Sequence, residues 1–445
     1  MAKRLTYYIL LGLVAGLVVG WILNASIDDG TAASAARLKD IAGYFSIVTS
    51  LFLRLIKMII APLVFSTLVV GIAHMGDTGA LGRVGLRSLG WFICASLLSL
   101  TLGMILVNVL QPGVGLALAI PPATASSGVD AAAFDLAKFI SHIVPDSMIA
   151  AMASNEILQI VVFSVFVGVA ITAVGEKAAP LVKAIEALVA VMLQITNYVM
   201  RFAPFAVFAA VTATLAERGP SILGDLGYFM LCFYLGLALL WALLIGIAFV
   251  LIGPRTRLLV RYIRDPLILA FSAASSEAAY PRTLEALDRF GVPPRIASFV
   301  LPLGYSFNLD GSMMYMTFAS LFIAQAYGIH MPIGQQIAML LVLMVTSKGI
   351  AGVPRASLVV IAGTLSMFKI PEAGILLILA VDHFLDMGRS ATNVIGNAVA
   401  ATVVAKWEGG LDEREPADRD PPVAPTGHGP KTNIDSFDKI GPGQG

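Results

Sequence analysis

Long apolar runs, separated by short polar or glycine- and proline-containing stretches, dominate the chain. Runs at 5–23, 41–73, 88–110, 157–174, 181–207, 227–252, 299–322 and 374–405 have the length needed to cross a hydrocarbon core of about 30 Å. The pattern predicts an all-α polytopic membrane protein with eight transmembrane helices. The longer runs must tilt or bend. Pro62 and Pro204, inside two of them, mark expected kinks.

Two further segments alternate differently. Residues 266–281 carry short apolar arms around Ser272, Ala273, Ala274, Ser275, Ser276 and Glu277. Residues 337–365 do the same around Thr346, Ser347, Lys348, Gly349, Ile350, Ala351, Gly352, Val353, Pro354 and Arg355. Such a tip cannot face lipid, because its backbone groups would lack partners. It can enter a membrane from one side and line a cavity. Paired interrupted segments in corresponding positions predict two re-entrant helical hairpins, inverted repeats and a transporter site between them; the other reading is that both are interfacial loops.

The eighth run carries the densest polar pattern. Asp382, Asp386, Arg389, Asn393 and Asn397 fall within an arc of roughly 80° at helical spacing. Ionisable groups at membrane depth face a protein interior or a water-filled cavity. A buried guanidinium can hold a carboxylate through two parallel charge-assisted hydrogen bonds. Asp386 offers a counter-charge for an ammonium group, and Asn393 offers both donors and an acceptor. The stripe therefore suits a zwitterion with an extra acid group. The other reading is a permanent ion pair of Arg389 with Asp382 or Asp386, and an i−3 neighbour can serve as that partner. In the seventh run, Asn308 and Asp310 stand beside glycines in Gly304-Tyr305-Ser306-Phe307-Asn308-Leu309-Asp310-Gly311-Ser312. Freed carbonyls plus a carboxylate make a hard oxygen site for a monovalent cation. An N-cap for a fresh helix start explains the same residues equally well.

Composition narrows the class. The 445 residues are 58% hydrophobic and 13% charged, with mean hydropathy +0.86, which excludes an ordinary soluble domain. A net charge of +1 gives no electrostatic case for nucleic acid. Cys94 and Cys232 lie in apolar runs and read as buried packing residues. The five histidines lack ligand spacing, and no nucleophile–base motif supports a membrane enzyme. Residues 5–23 read as a retained first helix rather than a cleaved signal. Lys3, Arg4, Arg83, Arg87, Arg255, Arg257, Arg261 and Arg264 flank the runs on one side, whereas Asp28 and Asp29 occupy the first opposite loop. Both termini are therefore expected in the cytoplasm. The segment after Leu411, rich in Pro, Gly, Asp and Lys, reads as a disordered cytoplasmic tail.

Taken together, these motifs resemble the glutamate transporter family, the dicarboxylate/amino acid:cation symporters. The matching stretches are Leu55-Ile56-Lys57-Met58-Ile59-Ile60-Ala61-Pro62, Ser275-Ser276, Asn308-Leu309-Asp310-Gly311-Ser312 and Gly349-Ile350-Ala351-Gly352-Val353-Pro354. To these are added Val381-Asp382, and Asp386-Met387-Gly388-Arg389-Ser390 on to Asn393. The resemblance covers the chain from Leu5 to Lys406. It implies a homotrimer in the bacterial inner membrane, working by an elevator mechanism and needing no cofactor. Residues 1–80 and 112–218 would form a scaffold, 81–111 and 219–406 a mobile transport domain gated by the second hairpin, and 407–445 the tail. By motif match, Asp386 would bind a substrate amino group and Arg389 a side-chain carboxylate. Ser275, Ser276, Ser312, Ser390 and Asn393 would hold the main-chain carboxylate and nearby atoms. Gly304, Asn308, Asp310, Asp382, Asn397 and Ser96 would belong to cation sites, with Asn308, Asp310, Asn393 and Asn397 as a candidate sodium set.

Departures from the family pattern bear on coupling. Sodium-coupled members commonly have Asp where this chain has Asn397, and Tyr and Thr where it has Phe92 and Ala95. Bacterial proton-coupled carriers resemble it at Asn397. The proton-carrying Glu of animal members is Met316 here, which leaves Glu277, Asp310 and Asp382 as candidate acceptors. Arg355 replaces a Gly common in microbial members; it would either reach the substrate cavity, where it would favour dianions, or sit in water at the tip. The sequence thus predicts import of glutamate or aspartate with H+ and/or Na+, with a C4-dicarboxylate carrier as the alternative. An anion channel along the same polar path is a further class.

Overall fold

The computed structural model describes residues 2–73, 78–115, 141, 143–219, 226–347, 356–379 and 381–412. The tail beyond Asp412, the tip of the second interrupted segment and its Arg355 lie outside the described residues. Every regular element among the described residues is helical. In chain order these are α1 (Ala2–Ile27), α2 (Ala32–Ala73), α3 (Thr78–Leu110), α4 (Met148–Ser154), α5 (Ile157–Val174), α6 (Ala179–Met200), α7 (Ala203–Arg218) and α8 (Gly227–Ile252). There follow α9 (Thr256–Ala273), α10 (Tyr280–Phe290), α11 (Pro294–Phe307), α12 (Asp310–Ala326), α13 (Ile333–Thr346), α14 (Ala356–Met367), α15 (Ile375–Leu379) and α16 (Asp382–Trp407).

Among them, five stretches are long and apolar enough to cross a membrane: Tyr7–Ile27, Ala32–Ala73, Leu81–Leu110, Ile157–Met200 and Gly227–Ala273. The last two each join a pair of helices across a tight 3-10 corner, at Gly175–Ala178 and Gly253–Arg255. The chain is a multi-pass membrane protein. The helix α2, with 42 residues, extends about 63 Å at 1.5 Å per residue, so it reaches well beyond a bilayer core.

Three sequence expectations change. Pro204 does not kink a continuous span: α6 ends at Met200, and α7 begins at Ala203 with the proline in its first turn. There its missing N–H costs nothing. The seventh run is two helices, α11 and α12, parted at Asn308–Leu309. Cys94 is exposed on α3, whereas Cys232 is buried as expected. On a membrane helix the apolar exposed face meets lipid, so apolar context alone does not bury a residue.

The first interrupted segment is a helical hairpin. The helices α9 and α10 pack on each other and reverse at Ala274, which takes φ +47°. The tip then runs through Ser275 and Ser276 into the turn Glu277–Ala279. The helices α13 and α14 also pack on each other. At the centre is α16, against which α3, α8, α9, α10, α11 and α12 all pack. From Met387 to Ala405 every residue of α16 is buried. A helix enclosed on all sides can carry polar groups that would be intolerable against lipid.

A second set of contacts joins α1, α2, α5, α6 and α7. Gly12, Gly16 and Gly20 on α1 form a small-residue stripe along α7. A Cβ at these positions would lie 2.5 Å from Pro204 O, 2.8 Å from Phe208 O and 2.9 Å from Leu215 Cβ. Close backbone approach of this kind drives helix association where no hydrophobic effect operates. Gly16→Leu is expected to force α1 away from α7 at a cost of about 1–3 kcal/mol. Thermal melting of the detergent-purified protein reads the loss, and an unchanged midpoint contradicts this packing.

Candidate functional site

Beside α12, the polar stripe of α16 makes a ladder. Going up α12 from its first turn is going down α16, so the two helices exchange side chains in antiparallel order. At the lower rung, the Asn308 amide donates to Asn397 Oδ1 and to Asp310 Oδ2, both at 3.2 Å. At the middle rung, Asn393 Oδ1 accepts from the Gly311 N–H at 2.9 Å while its amide donates to Ser312 Oγ at 3.3 Å. At the upper rung, the Tyr315 hydroxyl donates to Asp382 Oδ1 at 3.1 Å.

Arg389 closes the upper rung. Its Nη2 lies 3.1 Å from Asp382 Oδ1 and 3.0 Å from Asp386 Oδ1, and its Cζ stands 4.1 Å from the centre of the Tyr315 ring. The guanidinium is 2% exposed. Buried charge of this kind is tolerated only with paired charges and hydrogen bonds, and the ring face adds cation–π attraction. Both ion pairs considered from the sequence are therefore present. They do not exhaust the group: Nε and Nη1 are buried without a hydrogen-bond partner. Each of these nitrogens flanks Nη2 on one edge of the planar fork. Of the two carboxylates, that of Asp382 is 5% exposed and that of Asp386 is 37% exposed. Asp386 therefore borders the more open side of the guanidinium, whereas Asp382 is enclosed between Arg389 and Tyr315.

The lower rung has a different chemistry. It collects oxygens around Asp310, to whose Oδ1 Ser99 of α3 donates at 3.2 Å. Asn308 Oδ1 and Asn397 Nδ2 are buried without partners. Neither Asn308 nor Asp310 caps α12, whose N-cap is Leu309 with no side-chain hydrogen bond. Gly304 contributes space more than an oxygen. A Cβ there would lie 2.3 Å from Asn397 Oδ1, and its carbonyl accepts from Asn308 N–H at 2.7 Å. Ser96 donates to the Phe307 carbonyl at 3.4 Å, at the last turn of α11. Phe92 and Ala95 are buried beside it on α3 and bring no oxygen.

The hairpin tip is placed differently. Ser275 Oγ accepts from the Ala278 N–H at 3.2 Å and so caps its own turn. Ser276 is buried, and Ser390 is buried on α16. Among the described residues no hydrogen bond ties Ser275 or Ser276 to the ladder, although both hairpin arms pack on α16. Arg355 is outside the described residues. Two members of the ladder escaped sequence reasoning. Ser99 sits one turn beyond the Ser96 that was singled out, and Tyr315 one turn beyond Ser312; that i+3 spacing was the available signal.

A family profile described as the sodium:dicarboxylate symporter family matches residues 5–407. The chain belongs to this family. It is similar to the proton/sodium-glutamate symport protein of Geobacillus stearothermophilus, 38% identical over 416 residues, which cover 92% of this chain and 96% of that one. It is also similar to the proton/glutamate-aspartate symporter of Escherichia coli (strain K12), 39% identical over 419 residues, or 92% and 94% of the two chains. A C4-dicarboxylate transport protein of Azorhizobium caulinodans is 40% identical over 367 residues, covering 81% of this chain and 82% of the relative. The family and these relatives are transporters rather than enzymes.

The lower rung depends on backbone proximity at Gly396, where a Cβ would lie 1.8 Å from Asp310 Oδ2. Gly396→Ala is expected to push Asp310 aside and destabilise the protein by about 1–3 kcal/mol. Circular-dichroism melting measures this, and a variant that melts with the parent protein contradicts the rung geometry.

Proposed function

We propose that this protein is a secondary active symporter that imports glutamate and aspartate, driven by the influx of protons, sodium ions or both. The observation that carries the reading is the half-satisfied Arg389: a buried guanidinium with Nε and Nη1 unpartnered, beside a carboxylate that is partly exposed. A substrate carboxylate engages one edge of the fork as Asp386 swings away, and Asp386 then receives the ammonium group. The amide of Asn393 and the hydroxyls of Ser312 and Ser390 lie farther along the same face for the second carboxylate. Ser275 and Ser276 reach the substrate from the hairpin tip.

Charge supplies the reason for coupling. Asp310, Asp382 and Asp386 against Arg389 leave the ladder formally two units negative, and an acidic amino acid brings one more negative charge. Placing that charge in a low-dielectric interior is unfavourable. Cations at Asp310, Asn308, Asn397 and their neighbours offset it, so ion and substrate raise each other's affinity. Asn397 supplies an amide in place of a second carboxylate, which favours a proton or a weakly held sodium ion at this rung. Three such chains form a trimer in a bacterial inner membrane, both termini facing the cytoplasm. The helices around α16 move as a unit past those packed on α2.

Uptake of labelled L-aspartate into proteoliposomes under separately imposed proton and sodium gradients tests the reading. Accumulation under at least one gradient is expected, and none under either rejects it. Arg389→Lys keeps the charge but loses the planar fork, and uptake is expected to fall at least roughly 100-fold while the protein still purifies as an oligomer. Arg389→Ala is the poorer test, because it strands Asp382 in the core at about 3–5 kcal/mol. Asp386→Ser should weaken aspartate relative to succinate by roughly 10–100-fold, the worth of one charge-assisted bond to the amine. Competition of labelled aspartate uptake by both compounds reads it, and an unaltered ratio removes Asp386 from that role.

A further inference from the structure

The corner between α8 and α9 bears a row of arginines that the transport site does not use. Arg257, Arg261 and Arg264 are all exposed on α9 and lie within an arc of roughly 60° at helical spacing. The opposite side of α9 is sealed against the protein by Leu259, Ile263, Pro266 and Ala270. Among the described residues neither Arg257 nor Arg261 forms an ion pair. Among the described residues the ion pair of Arg264 is with Asp265, at 3.7 Å and in an exposed setting, where such a pair contributes little.

The fourth basic residue of the corner behaves differently. Arg255 donates to the carbonyls of Asp412 and Phe290, at 2.8 and 3.4 Å, and stacks on the Phe290 ring. It is consumed in holding the fold together. A topological signal requires basic residues near a span; it does not require three of them on one exposed helical face.

The surroundings identify what this face meets. Leu231, Leu235, Leu239 and Leu243 of α8, followed by Phe249 and Val250, are exposed. They form an apolar run that leads to the corner, of the kind that contacts acyl chains in a bilayer. Val260, between the arginines, is also exposed. A molecule with hydrocarbon tails and a negative head matches this order of surfaces: apolar wall, corner, guanidinium row. Arginine forks bind phosphate oxygens in pairs, and each basic residue near an anionic membrane contributes roughly fivefold to binding.

We propose that Arg257, Arg261 and Arg264 form a binding site for the headgroup of an anionic phospholipid. The site does not depend on the substrate reading, and lipid binding is measured without transport. Delipidated full-length protein is presented with equal amounts of phosphatidylglycerol and phosphatidylcholine of matched chains, and bound lipid is counted by native mass spectrometry. A preference for phosphatidylglycerol of up to roughly 100-fold is expected, falling to near parity in R257Q/R261Q/R264Q. Inorganic phosphate at the same concentration should leave the preference intact. Each single variant should lower it partway, which keeps the test decisive if the triple variant does not fold. No preference in the parent protein, or an equal preference in the variants, overturns the proposal.

Discussion

A guanidinium with almost no access to water must be held by charge, and Arg389 dictates its surroundings accordingly. Two carboxylates and an aromatic face converge on it. The pairing is lopsided: one nitrogen serves both carboxylates, and two others stay buried without partners. Such a group is costly in a protein built only for stability. Under the proposed function the unpartnered nitrogens await a third carboxylate, that of the ligand. The unequal exposure of Asp382 and Asp386 divides the labour. The first is enclosed against the guanidinium, and the second is partly exposed, which is why the proposed reading gives the exchange with a ligand to Asp386.

Everything around that pair serves to bring α12 and α16 close enough for their polar groups to meet. Gly304, Gly311 and Gly396 lie where a Cβ would collide with Asn397, with the Arg389 carbonyl or with Asp310. The interruption at Asn308–Leu309 turns side chains inward that a continuous helix would have spread around its axis. Outer helices then isolate the ladder from lipid, and α16 is buried along nearly its whole length. The buried charges, the polar rungs and the helix packing are therefore one arrangement, in which a change in any rung disturbs the next.

Much of this was legible in the sequence, for identifiable reasons. Five polar residues in register on one apolar helix stand out because a bilayer tolerates them nowhere else, so the α16 stripe was readable directly. The pairing of Arg389 with an i−3 carboxylate followed from helical geometry. Tyr315 had only its i+3 spacing from Ser312 to mark it, because an aromatic residue in a buried helix looks the same whether it packs or positions a charge. Ser99 was hidden for a similar reason: hydroxyls in membrane helices usually bond their own backbone, and Ser99 does that as well, to Ala95 O at 2.8 Å. The helix break before Pro204 was misread as a kink, since proline suits both the interior bend and the first turn. The choice between N-cap and side-chain cluster at Asn308 required the partner helix, which no local pattern contains.

The central claim is that the unpartnered edges of Arg389 receive a substrate carboxylate while Asp386 takes up the amine. A cryo-electron-microscopy map of the protein saturated with L-aspartate tests it most directly. The account predicts one ligand carboxylate within hydrogen-bonding distance of Arg389 Nε or Nη1, and the ligand nitrogen beside Asp386, with the Asp382–Arg389 pair retained. Aspartate bound elsewhere, with both carboxylates still on Nη2 and the other two nitrogens unpartnered, would contradict it.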